Sequence, residues 1–360
     1  MLTKIDIYII KKFLSTFFFT LLLIVCVIIV FDLSERLEEF IDKQAPIKAI
    51  IFDYYVNYIP YLANMMSPLF IFISVIFFTS KMASNSEIVA ILASGISFKR
   101  LLRPFLICAI LLAGLSYVLN NFLIPESNKK RIAFEEQYYR NKLRNYSQDI
   151  HMKINDNTYV YMTNFVIDLN LGNNFSIERF NDDGELEYKL LSDNVKWDTT
   201  INMWSITNYV ERHINGLEET IKKGVKKDTI LDLKVEEFKR RNNYVTTMNL
   251  FELNDFIEEQ TFKGSQQIVN YELERQQRSS YPFATIVLTL IGVSVSSRKV
   301  RGGIGLHIGI GLLISFSYIL FMQISATFAL NSGVPAIVAV WIPNVVYGCL
   351  AAYLLKKAPK

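Results

Sequence analysis

Six long apolar runs, three on each side of a polar middle, dominate the hydrophobic pattern of the chain. They are Phe13–Phe31, Tyr58–Phe78, Leu101–Leu123, Tyr281–Ser296, Ile304–Leu330 and Ala336–Leu355. A helix needs about 20 apolar residues to cross the hydrocarbon core of a bilayer, so each run predicts a membrane span. We expect the fourth and shortest span to begin in the polar stretch before it. The first run is too long for a signal-peptide core and no small-residue cleavage site follows it, which predicts a retained span.

The polar middle changes to short alternating segments from Ile150 onward, which is typical of β-strands. The predicted strands are HMKINDNTYVYM, FSIERF, GELEYKLLSDNVKWD, NMWSITNYVERHI and DTILDLKVEEF. The turn signals are Asn155-Asp156-Asn157, Leu171-Gly172-Asn173, Asn181-Asp182-Asp183-Gly184 and Asn215-Gly216. This spacing favours an antiparallel sandwich or open barrel of about 90 residues. Helices are predicted on both sides, one ending before Asn145 and one over TTMNLFELNDFIEEQTFKG, and Pro282 is expected to start or kink the fourth span.

Composition supports a chain divided between membrane and water. Hydrophobic residues make up 51% of the chain and charged residues 20%. The net charge of +4 gives no argument for nucleic-acid binding. Cys26, Cys108 and Cys349 all lie in apolar runs, so no disulfide framework and no cysteine metal site is expected in the polar middle. The sequence contains no P-loop, metal-ligand cluster or G-x-S-x-G motif, and its three histidines are far apart.

Lysine and arginine predict the orientation of the spans. Basic residues flank both chain ends and the segments after spans two and four, whereas the short segment Asp32–Asp53 carries six acids and three bases. The positive-inside rule therefore predicts cytoplasmic termini, a cytoplasmic Lys81–Arg103 loop and an extracytoplasmic polar middle. From 124 to 280, 26 acidic residues exceed 22 basic ones. A domain without strong positive charge would hold a lipid through an apolar groove between its sheets and not through phosphates.

The loop Lys81–Arg103 carries a short amphipathic pattern. Ser84 and Glu87 have the spacing of a capping box, apolar residues follow, and Gly95 can end a helix. This predicts a helix of about residues 84–98 at the membrane surface, which is either a docking element for a soluble partner or a solvated loop. Glu87 is the only acid in this basic loop. It is interpreted as a carboxylate favoured by the helix dipole, as a charge offered to a basic partner, or as both.

Several segments in this order resemble the LptF/LptG permease family of the lipopolysaccharide exporter. They are SEIVAILASGISFKRLLRP, IPESNKKR, YELERQQRSSYPFATIVLTLIGVSVSS and VPAIVAVWIPNVVYGCLAAYLL. The resemblance covers the whole chain, and the span-four entry with WIPN favours the LptG-like branch. It implies an α-helical membrane protein with six transmembrane helices and an extracytoplasmic β-jellyroll-like domain between helices 3 and 4. The implied domains are 1–123, 124–280 with the jellyroll at about 150–238, and 281–360.

The resemblance also implies a function and partners. Such permeases extract lipopolysaccharide from the inner membrane and pass it to a periplasmic bridge. The implied partners are a second, LptF-like permease in a heterodimer, a dimer of an LptB-like cytoplasmic ATPase, a single-span LptC-like protein and an LptA-like bridge protein. This chain would bind no cofactor and catalyse no reaction, because ATP and magnesium would lie on the ATPase. It would be a multi-pass protein of the inner membrane.

Two sets of site residues follow from the resemblance. The coupling helix corresponds to Ser86–Ser97, with the ATPase contacts expected at Glu87, Ser86, Ile88, Ile91 and Gly95. Lipid contacts are expected at Arg36 and Lys43, which best match the family's phosphate-binding bases at the outer end of span one. A lipid with several acyl chains needs apolar cavity walls, which are expected on spans one and five, at Phe17, Phe18, Phe19 and Leu22 and at Phe316, Ile319, Leu320 and Phe328. The alternative is that these residues face bulk lipid or other helices. The chain departs from the family at FDLSERLEEFIDK, where acids outnumber bases, which argues against strong phosphate binding or for a lipid with less phosphate, or leaves that task to the partner subunit.

Two other function classes fit a membrane protein with an outer domain. A sensor would bind a ligand outside and signal inward, but it would need an inside signalling domain, and the inside segments here are short. A membrane-embedded envelope- or lipid-modifying enzyme would need acids or histidines clustered at one membrane face. The apolar runs contain almost none, although an ionisable residue within the membrane is usually functional.

Overall fold

The computed structural model describes residues 3–138, 148–239, 244–298 and 303–358. The chain divides into two compact units. A helical unit comprises Met1–Tyr139, Thr246–Leu250 and Val269–Lys360, and a sheet unit comprises Arg140–Val245 and Phe251–Ile268.

The described residues include eleven α-helices and six β-strands. The helices are α1 Lys4–Asp42, α2 Ile47–Ala49, α3 Val56–Ser84, α4 Glu87–Ala93, α5 Phe98–Val118, α6 Ile124–Tyr138, α7 Val235–Lys239, α8 Leu250–Phe262, α9 Ile268–Ser296, α10 Gly303–Ser332 and α11 Ala336–Lys357. The strands are β1 Gln148–Asn155, β2 Thr158–Val166, β3 Leu171–Phe180, β4 Leu186–Asp198, β5 Met203–Asn215 and β6 Glu218–Thr229.

Six helical segments of the described chain are long and apolar enough to cross a membrane, which confirms the predicted spans. Three precede the strands in sequence and three follow them. The second joins α2 to α3, and the third joins α5 to α6. The fourth, α9, begins in the polar stretch at Ile268 as expected, and Pro282 lies within it without ending it.

The second and third spans each contain a π-helical segment where two shorter helices join. These segments are Ile50–Tyr55 and Leu119–Leu123. Asn64 of α3 donates a hydrogen bond from Nδ2 to Oδ1 of Asn120 in the second π-segment, at 2.6 Å. The helix predicted to continue toward Asn145 is described as far as Tyr138, and its last residues lie outside the described part of the chain.

Helix α3 forms the centre of the helical unit because its side chains belong to both apolar clusters of that unit. Ile71, Val75 and Phe78 pack with the first part of α1 and with α5. Phe72 and Ile76 pack with α9, α10 and α11. Glycines allow this close approach, since a Cβ atom on Gly292 would lie 3.0 Å from side-chain atoms of Phe72 and Val75.

The six strands form one antiparallel sheet in the order β1-β2-β3-β4-β5-β6. This architecture matches the predicted jellyroll-like domain between the third and fourth spans. The expected turns at Asn155–Asn157, Asn181–Gly184 and Asn215–Gly216 join consecutive strands. Gly184 and Gly216 both have positive φ, which explains why glycine follows the polar residues there.

The strands differ most from the sequence prediction at β3 and β6. Leu171-Gly172-Asn173 is not a turn, because these residues begin β3 and the reversal is made by Asn170 at φ +50°. The predicted strand DTILDLKVEEF is also wrong beyond Thr229, where the chain leaves the sheet and Val235–Lys239 forms α7. The strand that pairs with β5 is Glu218–Thr229, a mostly exposed segment rich in charge.

The buried face of the sheet holds a core built around Trp204. Phe165 and Phe238 contact the Trp204 ring, and Trp204 Nε1 donates a hydrogen bond to the carbonyl of Leu233 at 3.1 Å. Val235 and Phe238, from the segment predicted as a strand, fill the same core from α7. These apolar side chains are buried although they lie on a helix. Because a buried strand would also be apolar here, the apolar pattern alone could not distinguish the two.

Candidate functional site

The segment between α3 and α5 forms a sharp reversal followed by the short helix α4. Ser84 is the last residue of α3 and does not cap α4, so the predicted capping box is absent. Ser86 occupies the N-cap position with φ +62° and makes no side-chain capping bond. Helix α4 covers Glu87–Ala93, shorter than the predicted 84–98, and Gly95 follows its end at φ +88°. The reversal at Asn85 and Ser86 therefore separates α3 from α4, at the place where the sequence predicted that Ser84 caps a helix.

Helix α4 has one face packed into its own chain and one exposed face. Ile88 is 2% exposed and belongs to the apolar cluster that includes Met82 and Phe98. Ile91 is partly buried against the same cluster. Val89 is 57% exposed, and Ala90 and Ala93 are exposed beside it. Ile88 and Ile91 therefore anchor the helix, and the surface available to a partner is formed by Val89, Ala90 and Ala93.

Glu87 lies at the first position of α4, where the helix dipole favours a carboxylate. Its Oε1 accepts a hydrogen bond from Asn85 Nδ2 at 3.2 Å, and its Oε2 lies 3.4 Å from the donating hydroxyl of Tyr8. Glu87 is half-buried. Both interpretations of Glu87 remain compatible with this geometry, because the second contact is long and part of the carboxylate is open.

A second acid, Asp6, joins α1 to the start of α5. Both of its oxygens accept hydrogen bonds from Arg100, from Nη1 at 2.7 Å and from Nη2 at 2.5 Å. The Asp6 side chain is 4% exposed and that of Arg100 is 27% exposed. Thr3 completes a capping box with Asp6 at the beginning of α1. The sequence pattern had given Asp6 no role, since the two partners lie 94 residues apart.

The bases expected to bind phosphate at the other end of α1 lie among acids and tyrosines. Arg36 Nε donates to Asp32 Oδ1 at 2.7 Å, and Asp32 also accepts hydrogen bonds from the hydroxyls of Tyr54 at 3.1 Å and Tyr55 at 3.2 Å. The Arg36 guanidinium lies over the Tyr54 ring. Lys43 is the exposed C-cap of α1. Arg36 is therefore partly neutralised by its own chain, while Lys43 is more open.

Helices α1 and α10 are the least buried of the candidate spans in the described chain. The apolar residues predicted as cavity walls lie on their outer surfaces: Phe18, Leu22, Phe316 and Leu320 are all exposed. Phe19, Ile319 and Phe328 are exposed as well, whereas Phe17 is buried in the core. In a membrane these surfaces meet lipid, cargo or another helical chain.

The sheet unit carries a pocket of about 490 Å³ against its core-facing side. Ile177, Leu190 and Ile206 supply apolar lining, and Glu211 and Lys227 supply charge. Directly opposite residues in the sheet share a face, which brings the side chains of Ile177, Leu190 and Glu211 together. The strands form a single sheet, so the apolar groove predicted between two sheets is replaced by this mixed pocket.

Charged groups in the pocket are hydrogen-bonded to each other. Glu211 accepts hydrogen bonds from Lys227 and from the Tyr188 hydroxyl, the latter at 3.0 Å. Burial alone would raise the pKa of Glu211, but these two donors outweigh burial and lower that pKa below its usual value. Burial, and then the nearby Glu211 carboxylate, raise the pKa of Tyr188. The Glu211 carboxylate is therefore ionised at neutral pH, and its two hydrogen bonds make it a structural part of the pocket.

Comparison with known proteins agrees with the arrangement of spans and sheet. The family model described as lipopolysaccharide export system permease LptF/LptG matches residues 7–357. No match is found among curated proteins. The match includes all six candidate spans almost completely, the α4 loop and the whole sheet. The chain therefore belongs to the LptF/LptG family of lipopolysaccharide export permeases.

Proposed function

We propose that this chain is the LptG-like half of a heterodimeric permease that uses ATP hydrolysis by a cytoplasmic partner to extract lipopolysaccharide from the inner membrane. Family membership supports the permease role and the cargo. The basic flanks of α1, of the α4 loop and of the chain end support cytoplasmic placement of these segments and periplasmic placement of the sheet. ATP and magnesium would bind the ATPase, and this chain would contribute no catalytic residue.

The two-faced helix α4 is the observation that carries this proposal. A docking helix needs one face that is packed against its own chain and one face that is open to the partner. Ile88 supplies the packed face, and Val89 with its neighbouring alanines supplies the open face. A small apolar surface beside a carboxylate suits a partner groove that has a basic residue at its rim. Glu87 would contact that base, and Ser86, Ile91 and Gly95 would set the shape of the docking element.

The exposed apolar surfaces of α1 and α10 support a second permease and a lipid cavity. A polytopic protein that leaves two spans largely uncovered presents them to lipid or to another chain. A cavity between two such permeases would have apolar walls for acyl chains, with Lys43 and the partly neutralised Arg36 near its outer end. The mixed pocket of the sheet unit would receive lipid on its way to an LptC-like subunit and an LptA-like bridge.

The test is co-purification of the ATPase with the Glu87→Ala variant in a mild detergent. A charge-assisted hydrogen bond contributes about 1.5–3 kcal/mol, so we expect ATPase affinity to fall about tenfold to a hundredfold. Glu38→Ala is the matched control, because Glu38 is an exposed acid near the opposite end of α1. It should leave ATPase recovery unchanged. Equal ATPase recovery with wild-type chain and Glu87→Ala would contradict the assigned contact.

A further inference from the structure

A small pocket lies beside α4, between α1 and the last turns of α3, and Glu87 is the one residue of its lining that has a role proposed above. Its volume is about 190 Å³. It is lined by Tyr8, Lys12, Thr16, Phe77, Phe78, Lys81, Met82, Asn85 and Glu87. Pockets that enclose a drug-sized ligand are larger, about 300–1,000 Å³, so this one suits a headgroup and not a whole lipid.

The charges in the pocket favour a monovalent anion. Lys12 and Lys81 are both exposed, and the described residues include no ion-pair partner for either. Asp6, the other acid near the start of α1, is taken up by Arg100. Together with the Glu87 carboxylate, the two ammonium groups leave one uncompensated positive charge. A phosphodiester carries one negative charge and would balance it.

The pocket lies at the depth of a lipid headgroup. Lys12 is the last charged residue before the apolar run of span one, and Lys81 is the first charged residue after that of span two. Lysines at such positions extend their ammonium groups toward the membrane surface. Phe77, a residue of the apolar run of span two, lines the pocket and is 43% exposed. Acyl chains can therefore lie along α1 and α3 while a phosphate stays between the lysines.

The remaining polar groups suit the rest of such a headgroup. Asn85 and Glu87 line the pocket beside the lysines and can accept hydrogen bonds from headgroup hydroxyls. The Tyr8 hydroxyl is only loosely held, at 3.4 Å from Glu87, and can turn to donate to a phosphate oxygen. The Thr16 hydroxyl is already used, since it donates to the carbonyl of Lys12 at 2.8 Å.

We infer that this pocket binds the headgroup of an anionic phospholipid from the cytoplasmic leaflet, held by Lys12 and Lys81 next to the coupling helix. This lipid differs from the exported cargo. Arg36, which is proposed to lie near the cargo cavity, is 24 residues, or about 36 Å, from Lys12 along α1. A bound headgroup would share Tyr8 and Asn85 with Glu87 and would thereby set the position of that carboxylate. The inference takes from the proposed function only the side of the membrane on which α4 lies.

The test measures lipid binding by the full chain in nanodiscs of phosphatidylcholine containing a small fraction of labelled phosphatidylglycerol. A charge-assisted hydrogen bond from a lysine to a phosphate contributes about tenfold in affinity, so the Lys12→Gln/Lys81→Gln variant should bind phosphatidylglycerol about a hundredfold more weakly. Lys4→Gln/Lys11→Gln is the matched control, because it removes two exposed lysines of α1 that do not line the pocket. It should reduce affinity no more than about threefold.

Equal losses in the two double variants would overturn the inference, because the attraction would then belong to the general surface charge. Competition by millimolar inorganic phosphate alone would overturn it in favour of a free-anion site. A measurement on the wild-type chain avoids any folding defect of the variants: Lys12 and Lys81 should be protected from an amine-modifying reagent in phosphatidylglycerol nanodiscs but not in phosphatidylcholine. Protection that requires the ATPase would also contradict the inference. ATPase co-purification is read separately, so failure of the lipid site leaves the proposed function standing.

Discussion

Truncation of Ile88 should loosen helix α4, whereas truncation of its neighbour Val89 should not. Ile88→Ala removes three carbons from a side chain that is 2% exposed, a loss of about 2.4 kcal/mol at about 0.8 kcal/mol per buried carbon. A residual cavity would add to this cost. Val89→Ala removes two carbons that are more than half exposed, a loss of about 0.7 kcal/mol. A helix of seven residues has little stability of its own, so the anchor controls its opening.

Hydrogen exchange of the α4 amides in the purified chain measures this difference. Protection should fall about 60-fold in Ile88→Ala and about threefold in Val89→Ala, from about 1.36 kcal/mol for each tenfold change. ATPase recovery tests the exposed face with a third variant. Because Val89 lies on that face, Val89→Arg should lose the ATPase while the α4 amides stay protected. Equal protection in Ile88→Ala and Val89→Ala would refute the assignment of the two faces.

Three further predictions test other parts of the structure. Asp6→Asn should raise the amount of ATP hydrolysed per lipopolysaccharide released, because α1 loses its ion pair with α5. The exchanged pair Asp6→Arg with Arg100→Asp should restore part of the wild-type ratio. No restoration would show that the ion pair does not link the two helices. Gly292→Ala should destabilise the fold by about 1–3 kcal/mol through overpacking against α3, and should therefore lower the thermal midpoint. Gly348→Ala should leave the midpoint unchanged, because a Cβ at Gly348 would meet open space. Equal midpoints in the two variants would disprove the tight contact. The lowered pKa of Glu211 means that its stabilisation is fully present above its ordinary pKa of 4.5 and is lost as pH falls through the folded-state pKa. Tryptophan fluorescence of Glu211→Gln should therefore show a weaker dependence on pH in the acid range than the wild type, and an unchanged acid transition would contradict the assigned pair.

The spans could be predicted from the sequence because bilayer thickness imposes a length and a polarity that a single chain displays directly. The arrangement of three spans on each side of the strands follows from the six apolar runs, and the early start of α9 follows from the short length of the fourth run. Hairpin turns could be predicted where polar residues precede a glycine with positive φ, as at Gly184 and Gly216. These features are local, so neighbouring residues carry the whole signal.

Features that depend on distant partners could not be predicted. Strand β6 consists largely of exposed charged residues and is fixed by pairing with β5, so its sequence shows no alternation. Gly172 looked like a turn residue, but it lies within β3 where a Cβ would crowd Met162 and Val195. The Asp6–Arg100 pair and the buried position of Ile88 likewise depend on how α1, α3 and α5 pack. Site residues could thus be placed on the correct helix, but their contacts could not be assigned.

Release of lipopolysaccharide from proteoliposomes measures whether α4 couples this permease to ATP hydrolysis. The chain is reconstituted with a second permease, the ATPase and the periplasmic acceptor, and transfer of lipid to the acceptor is followed with and without ATP. Transfer should require ATP and should be lost in Val89→Arg, whose α4 surface would no longer fit the ATPase. Transfer without ATP, or full transfer by the Val89→Arg variant, would contradict the claim that α4 couples this permease to ATP hydrolysis.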